Sequence, residues 1–271
     1  MIRAHLHSAL VSMCFCTVLG SCSSSASQVP SEWPPPDFRL VVEETASGSG
    51  HGQTLSTKRF VVEADGTCFL GKSTTPLVDA TSTTVLPVFD TMCAYRLRPE
   101  CTRLLARKLE QRGVRALDPL QGTGSEVAGR SIRIVHHAFG HETRIQASGQ
   151  IHGGFVRVLH IVNAYLPSSE SFSLPGMTGD AEPENLAGVP APIIGAVGAL
   201  AWHEELLRQQ GEQPELLLDT FALACRVGDR ARSEALLARW AAASELPATP
   251  DAPFYEAPRL LPEVLRRLLP Q

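Results

Sequence analysis

The apolar positions change rhythm along the chain, and each change predicts an element. Phe38-Arg39-Leu40-Val41-Val42-Glu43-Glu44 reads as a first strand running into the flexible Gly and Ser stretch TASGSGHGQ. A second strand is expected from Lys58 to Glu63, and Ala64-Asp65-Gly66 then turns tightly into Thr67-Cys68-Phe69-Leu70 to complete a hairpin. A further extended stretch lies around Thr83 to Phe89. Arg98-Pro99-Glu100 opens a helix through Cys101 to Arg112, in which Leu104, Leu105 and Leu109, with Val114 just beyond, recur near the helical period; Gly113 ends it. Ser131 to His137 and His141 to Ala147, joined at Phe139-Gly140, predict a second hairpin. Phe155 to Tyr165, FVRVLHIVNAY, is rich in branched and aromatic residues and reads as another strand.

Pro167 to Pro192 is rich in Ser, Gly, Pro and acidic residues and reads as a linker. Beyond it the period lengthens: Ala196 to Gln210, Pro214 to Val227 and Ala231 to Ala243 are expected helices, with Pro214 at a helix start and Gly211 and Gly228 at junctions. Glu256 to Leu269 supplies a fourth, its regular part confined to the end by Pro258 and Pro262. The expected fold class is α+β: antiparallel strands packed with one helix, followed by a small all-helical C-terminal region. The expected organisation is a signal peptide over 1–21, a flexible tether over 22–37, an α+β domain over 38–165, a linker over 166–192 and a helical domain over 193–271.

Composition narrows the function classes. The 271 residues carry a net charge of -4, and 44% are hydrophobic. No basic field recruits nucleic acid, and the apolar fraction is enough for a core. Removing 1–21 costs only Arg3 among the charged residues, so the remainder is one unit more negative. The opening segment, MIRAHLHSALVSMCFCTVLGS, has a basic residue near its start, an apolar stretch centred on Leu10 to Leu19 and small residues at its end, which is an export pattern. That stretch is shorter than the about 20 apolar residues a membrane span needs.

Leu19-Gly20-Ser21-Cys22, followed by a polar and then proline-rich run, resembles the lipobox of bacterial lipoproteins. The resemblance implies cleavage before Cys22 and acylation of that cysteine, so that membrane lipid becomes a partner through Cys22. Two or three acyl chains hold a soluble domain where one holds it only reversibly. Ser23, in place of an aspartate, favours the outer over the inner membrane. The block from Phe38 to Ala147 resembles small α+β domains of bacterial lipoproteins, with strand, Ala-Asp-Gly hairpin, helix and final hairpin in that order, and it brings no active residues with it. Without lipid, Cys22 would be a thiol of an ordinary secreted protein.

Export permits disulfides, and Cys93 with Cys101 is the expected pair, Cys68 being its main competitor. Cys225, within DTFALACRV, reads as a small buried hydrophobe.

For chemistry, His136, His137 and His141, with His152 and His160 nearby, form the densest group. His136 and His141 share a strand face on a hairpin and are the weak candidates for a metal, with Glu142 as a carboxylate. His136 and His137 point to opposite faces, so ordinary solvent-facing or hydrogen-bonded histidines are the better reading. His203-Glu204-Glu205 begins like a zinc-peptidase helix, but Leu207 stands where the second histidine belongs. Ser47-Gly48-Ser49-Gly50 and Gly122-Thr123-Gly124-Ser125 lack the lysine of a phosphate loop. No catalytic residue, cofactor or metal is therefore assigned. The expectation is a lipid-anchored extracytoplasmic binding or envelope-associated structural protein, its C-terminal helices offering a surface to an envelope protein. The alternatives are an extracytoplasmic hydrolase with residues scattered in sequence and a non-lipidated secreted protein.

Overall fold

The computed structural model describes residues 33–47, 55–79, 85–117, 119–121, 129–148, 153–167, 170–173, 192–244 and 262–270. Strand β1 (Arg39–Ser47) lies at the middle of the sheet, paired antiparallel with β2 (Leu55–Glu63) on one side and β8 (Arg130–Ala138) on the other. From β2 the sheet continues through β3 (Thr67–Ser73) and β6 (Thr91–Arg96) to the two-residue β10 (Ile193–Ile194). From β8 it continues through β9 (His141–Ser148) to β7 (Leu120–Gln121), which runs parallel to β9. The short β4 (Leu77–Val78) and β5 (Val85–Leu86) pair apart from this sheet.

Strand alternation gives the sheet two apolar faces. On one, Leu40 and Val42 of β1, Phe60 and Val62 of β2, Cys68 and Leu70 of β3 and Ile132 and Ile134 of β8 are buried against two helices, α1 (Pro99–Gln111) and α2 (Gly153–Asn163). On the other, Phe69 of β3 and Met92 of β6 join Phe89 and the buried residues of α3 (Ala196–Gln210), α4 (Pro214–Val227), α5 (Arg230–Ser244) and α6 (Pro262–Arg266). The architecture is thus α+β, an antiparallel sheet packed against helix and followed by a C-terminal helical region. The described residues fall in one compact unit.

The helices end where the sequence says they must. Pro214 occupies the first turn of α4, where its missing N–H costs nothing, and α3 and α4 stop at Gly211 and Gly228. In the β2–β3 hairpin, Gly66 has φ 86, and a Cβ there would lie 2.7 Å from the Leu97 carbonyl oxygen, so the turn admits only glycine without strain.

Two readings of the sequence need correction. Phe155 to Tyr165 is not a strand: Gly153–Asn163 is α2, because Phe155, Val158, Leu159 and Val162 fall on one helical face and are fully buried against the sheet. Tertiary burial overrides the β preference of its branched residues. The expected Cys93–Cys101 disulfide is absent: Cys68, Cys93, Cys101 and Cys225 are buried thiols, none in a disulfide. Cys93 lies within β6 and Cys101 in the first turn of α1, with the remainder of the strand and the Leu97-Arg98 corner between them. Each thiol is packed into the apolar core, Cys93 at 7% and Cys101 at 6% exposure, and neither is bonded to the other. Among the described residues no helix is long and apolar enough to cross a membrane.

Candidate functional site

The β8–β9 hairpin, which carries the histidine group, is held by the chain just before β1. Phe139 and Gly140 both have positive φ, 56° and 72°, the geometry of a two-residue hairpin turn. The Asp37 carboxylate accepts from the backbone N–H groups of both, and Trp33 packs edge-on against Phe139 at 5.2 Å. These contacts offset the cost of a left-handed phenylalanine. The Asp37 carboxyl lies below its ordinary range because the two N–H groups outweigh the effect of burial.

The same hairpin separates its histidines. His136 faces the core and is 1% exposed; both ring nitrogens lack a hydrogen-bond partner, and Glu110 stands 3.8 Å away. Burial drives its pKa down to about 4, and Arg115 and His137 push the same way. His137 points to the opposite face, where its Nδ1–H donates to the Asp37 carbonyl at 2.9 Å. His141 lies across from Ala138 at the exposed end of the hairpin. His160 is on α2, and His152 and Cys22 lie outside the described residues, as do the central residues of both glycine-rich loops. Among the described residues no group of three or more His, Cys, Asp or Glu side chains converges as metal ligands would.

What the fold does assemble is a cleft between the second face of β1, β2 and β3 and the helices α3 and α4, with about 570 Å³ of space, its open mouth included. Its floor follows from strand register. Arg59, Glu43 and Arg133 align across β2, β1 and β8; Val61, Val41 and Val135 form the next row, and Glu63, Arg39 and His137 the one after. Arg39 donates to Glu63 at 3.1 Å and to Glu215 of α4 at 3.1 Å. Arg59 donates to Glu43 at 2.6 Å and to Asp219 of α4 at 2.6 Å, with its guanidinium 4.5 Å from the Phe89 ring centre. Glu43, flanked by two arginines, is held below its ordinary range despite burial. Asp219 has only Arg59, which it shares with Glu43, and burial pushes its carboxyl up to about 6.

The wall is aromatic. Trp202 of α3 stacks on Phe69 at 5.4 Å and 16°, and Phe69 meets Phe89 edge-on at 6.0 Å. Gly71 makes room for this cluster: a Cβ there would lie 2.5 Å from the Phe69 ring and 2.9 Å from Phe89. His203 is 1% exposed and lines the cleft, and its Nδ1–H donates to the Ala199 carbonyl at 2.9 Å. Burial holds its pKa near 4, so the ring is neutral at physiological pH and Nε2 is an acceptor.

Sequence reasoning had discarded His203 for want of a second histidine on α3, and had not singled out Arg59, Asp219 or Trp202. The cleft joins β2 to α4 across 160 positions. The one legible signal was the set of charged residues Arg39, Glu43, Arg59 and Glu63 alternating with Val41 and Val61 along β1 and β2. No protein-family model matches the chain, and no curated protein matches it either.

Proposed function

We propose that the protein is a lipid-anchored extracytoplasmic binding protein, held on the outer membrane by acylated Cys22 and receiving its ligand in the cleft between β1–β3 and α3–α4. The cleft's composition carries the binding reading. Its lining has an aromatic wall and carboxylates paired with arginines. The Thr67 hydroxyl is spent on Asp65 at 2.9 Å, and each arginine is committed to two carboxylates. A partly apolar concavity with a few fixed polar groups is what small-molecule recognition requires. Leu19-Gly20-Ser21-Cys22 supports the placement at the membrane.

Expression of the full chain in a bacterial host tests the anchor. Intact mass should show Cys22 acylated after loss of 1–21, and Cys22→Ser should lose the acyl mass and leave the membrane fraction. Unchanged membrane attachment of Cys22→Ser would overturn the anchor, and a cleaved but unacylated wild type would make it an ordinary secreted protein.

A further inference from the structure

We propose that the cleft selects a small organic cation, an ammonium or guanidinium group carried on an apolar body; the inference rests on the reading of the cleft as a ligand site. The charge arrangement leaves a vacancy of one sign. Arg39, Arg59 and Arg133 face Glu43, Glu63, Glu215 and Asp219, so the carboxylates outnumber the guanidinium groups. The shortfall is felt inside: burial raises the Glu63 and Asp219 carboxyls, Glu215 adds to both, and the arginines do not fully offset it. A ligand cation near these two groups would relieve that cost, whereas an anion would add to it.

The neutral polar groups point the same way. His203 has committed its one N–H to Ala199, which leaves Nε2 as an acceptor on the cleft lining. A ligand N–H or O–H donor satisfies it; a carboxylate or ether cannot. The stacked Trp202–Phe69 pair presents a ring face of the kind that attracts cations, and Leu206, Leu216 and Val61 offer apolar surface for the remainder of the molecule.

The test uses the full chain and three probes of one shape, phenethylamine, 2-phenylethanol and 3-phenylpropanoate, in titration calorimetry near neutral pH. Phenethylamine should bind at least about tenfold more tightly than the other two, the worth of one charge-assisted hydrogen bond. Glu63→Gln should weaken it by about tenfold, and Glu142→Gln, at an exposed position of β9 away from the cleft, should not. Should Glu63→Gln fail to fold, Glu215→Gln, at the exposed end of the Arg39 bridge, takes its place with a smaller loss. Equal or tighter binding of the alcohol or the acid overturns cation selection and leaves the ligand site standing. Binding of none of the three, or phenethylamine binding indifferent to both variants, overturns cation selection; the former result also removes the cleft as a small-molecule site.

Discussion

Arg59 on β2 and Asp219 on α4 meet at 2.6 Å, joining residues 160 positions apart and tying the sheet to the C-terminal helices through a buried ion pair. Removing one partner strands the other charge. Arg59→Met is expected to destabilise the fold by about 3–5 kcal/mol, because Glu43 and Asp219 both lose their shared donor. The double variant Arg59→Met/Asp219→Leu should recover much of that loss, since a well-packed apolar pair often equals a buried ionic one. Urea unfolding followed by circular dichroism measures both. A double variant no more stable than the single one would mean that the pair contributes more than mutual neutralisation.

Gly71→Ala should destabilise by about 1–3 kcal/mol, the usual cost of forcing a methyl group into a packed core. The Phe69 ring tip would have to move, but it is held between Phe89 and Trp202. The thermal midpoint should fall, and Trp202 fluorescence should change with it. An unchanged midpoint would show that the aromatic wall yields freely.

Acid should weaken the fold through its buried histidines. His136 and His203 have pKa values near 4 in the folded chain against 6.5 for the free side chain. Their stabilisation is therefore full above 6.5 and is lost as the pH falls from 6.5 through 4, by roughly 3 kcal/mol each at most. Asp219, raised from 3.8 to about 6, works in the opposite sense: its contribution is full below 3.8 and is lost as the pH rises through 6. Glu63, also raised, adds to Asp219, whereas Glu43 and Asp37, held low, lose stability in acid as the histidines do, so urea stability should still drop between about pH 6.5 and about pH 4. His136→Leu, which replaces a ring with two unpartnered nitrogens, should make that drop shallower. An identical pH slope in the variant would place the acid sensitivity elsewhere.

Cys93 and Cys101 should each be alkylated without prior reduction once the chain is unfolded, and both should be slow to react in the folded protein. Peptide mapping after alkylation in urea reads this directly. Recovery of a peptide pair linked through these two cysteines would contradict the two buried thiols of the fold, neither of them in a disulfide.

The sequence made the helices α3 and α4 legible to the residue, because Pro214, Gly211 and Gly228 are local signals whose meaning does not depend on the remainder of the fold. Both hairpins were legible for the same reason. The strand expected at Phe155 to Tyr165 failed, although Phe155, Val158, Leu159 and Val162 already carried the helical spacing; branched residues drew the reading toward a strand until burial decided it. The cleft was beyond reach. Its pairs are tertiary, its glycine at 71 sits inside a strand with no turn to announce it, and His203 matters through a backbone carbonyl that no motif records.

The alternating charged and valine rows across β2, β1 and β8 also proofread strand pairing as the chain folds. A slip of β2 against β1 by two residues sets Arg59 opposite Val41 or Thr45 and separates it from Glu43. A slip of four sets Arg59 against Arg39, or Glu63 against Glu43, like charge facing like. A slip of one turns every valine of the strand to the other face. Each wrong alignment therefore carries its own penalty, in charge or in the face its apolar residues meet.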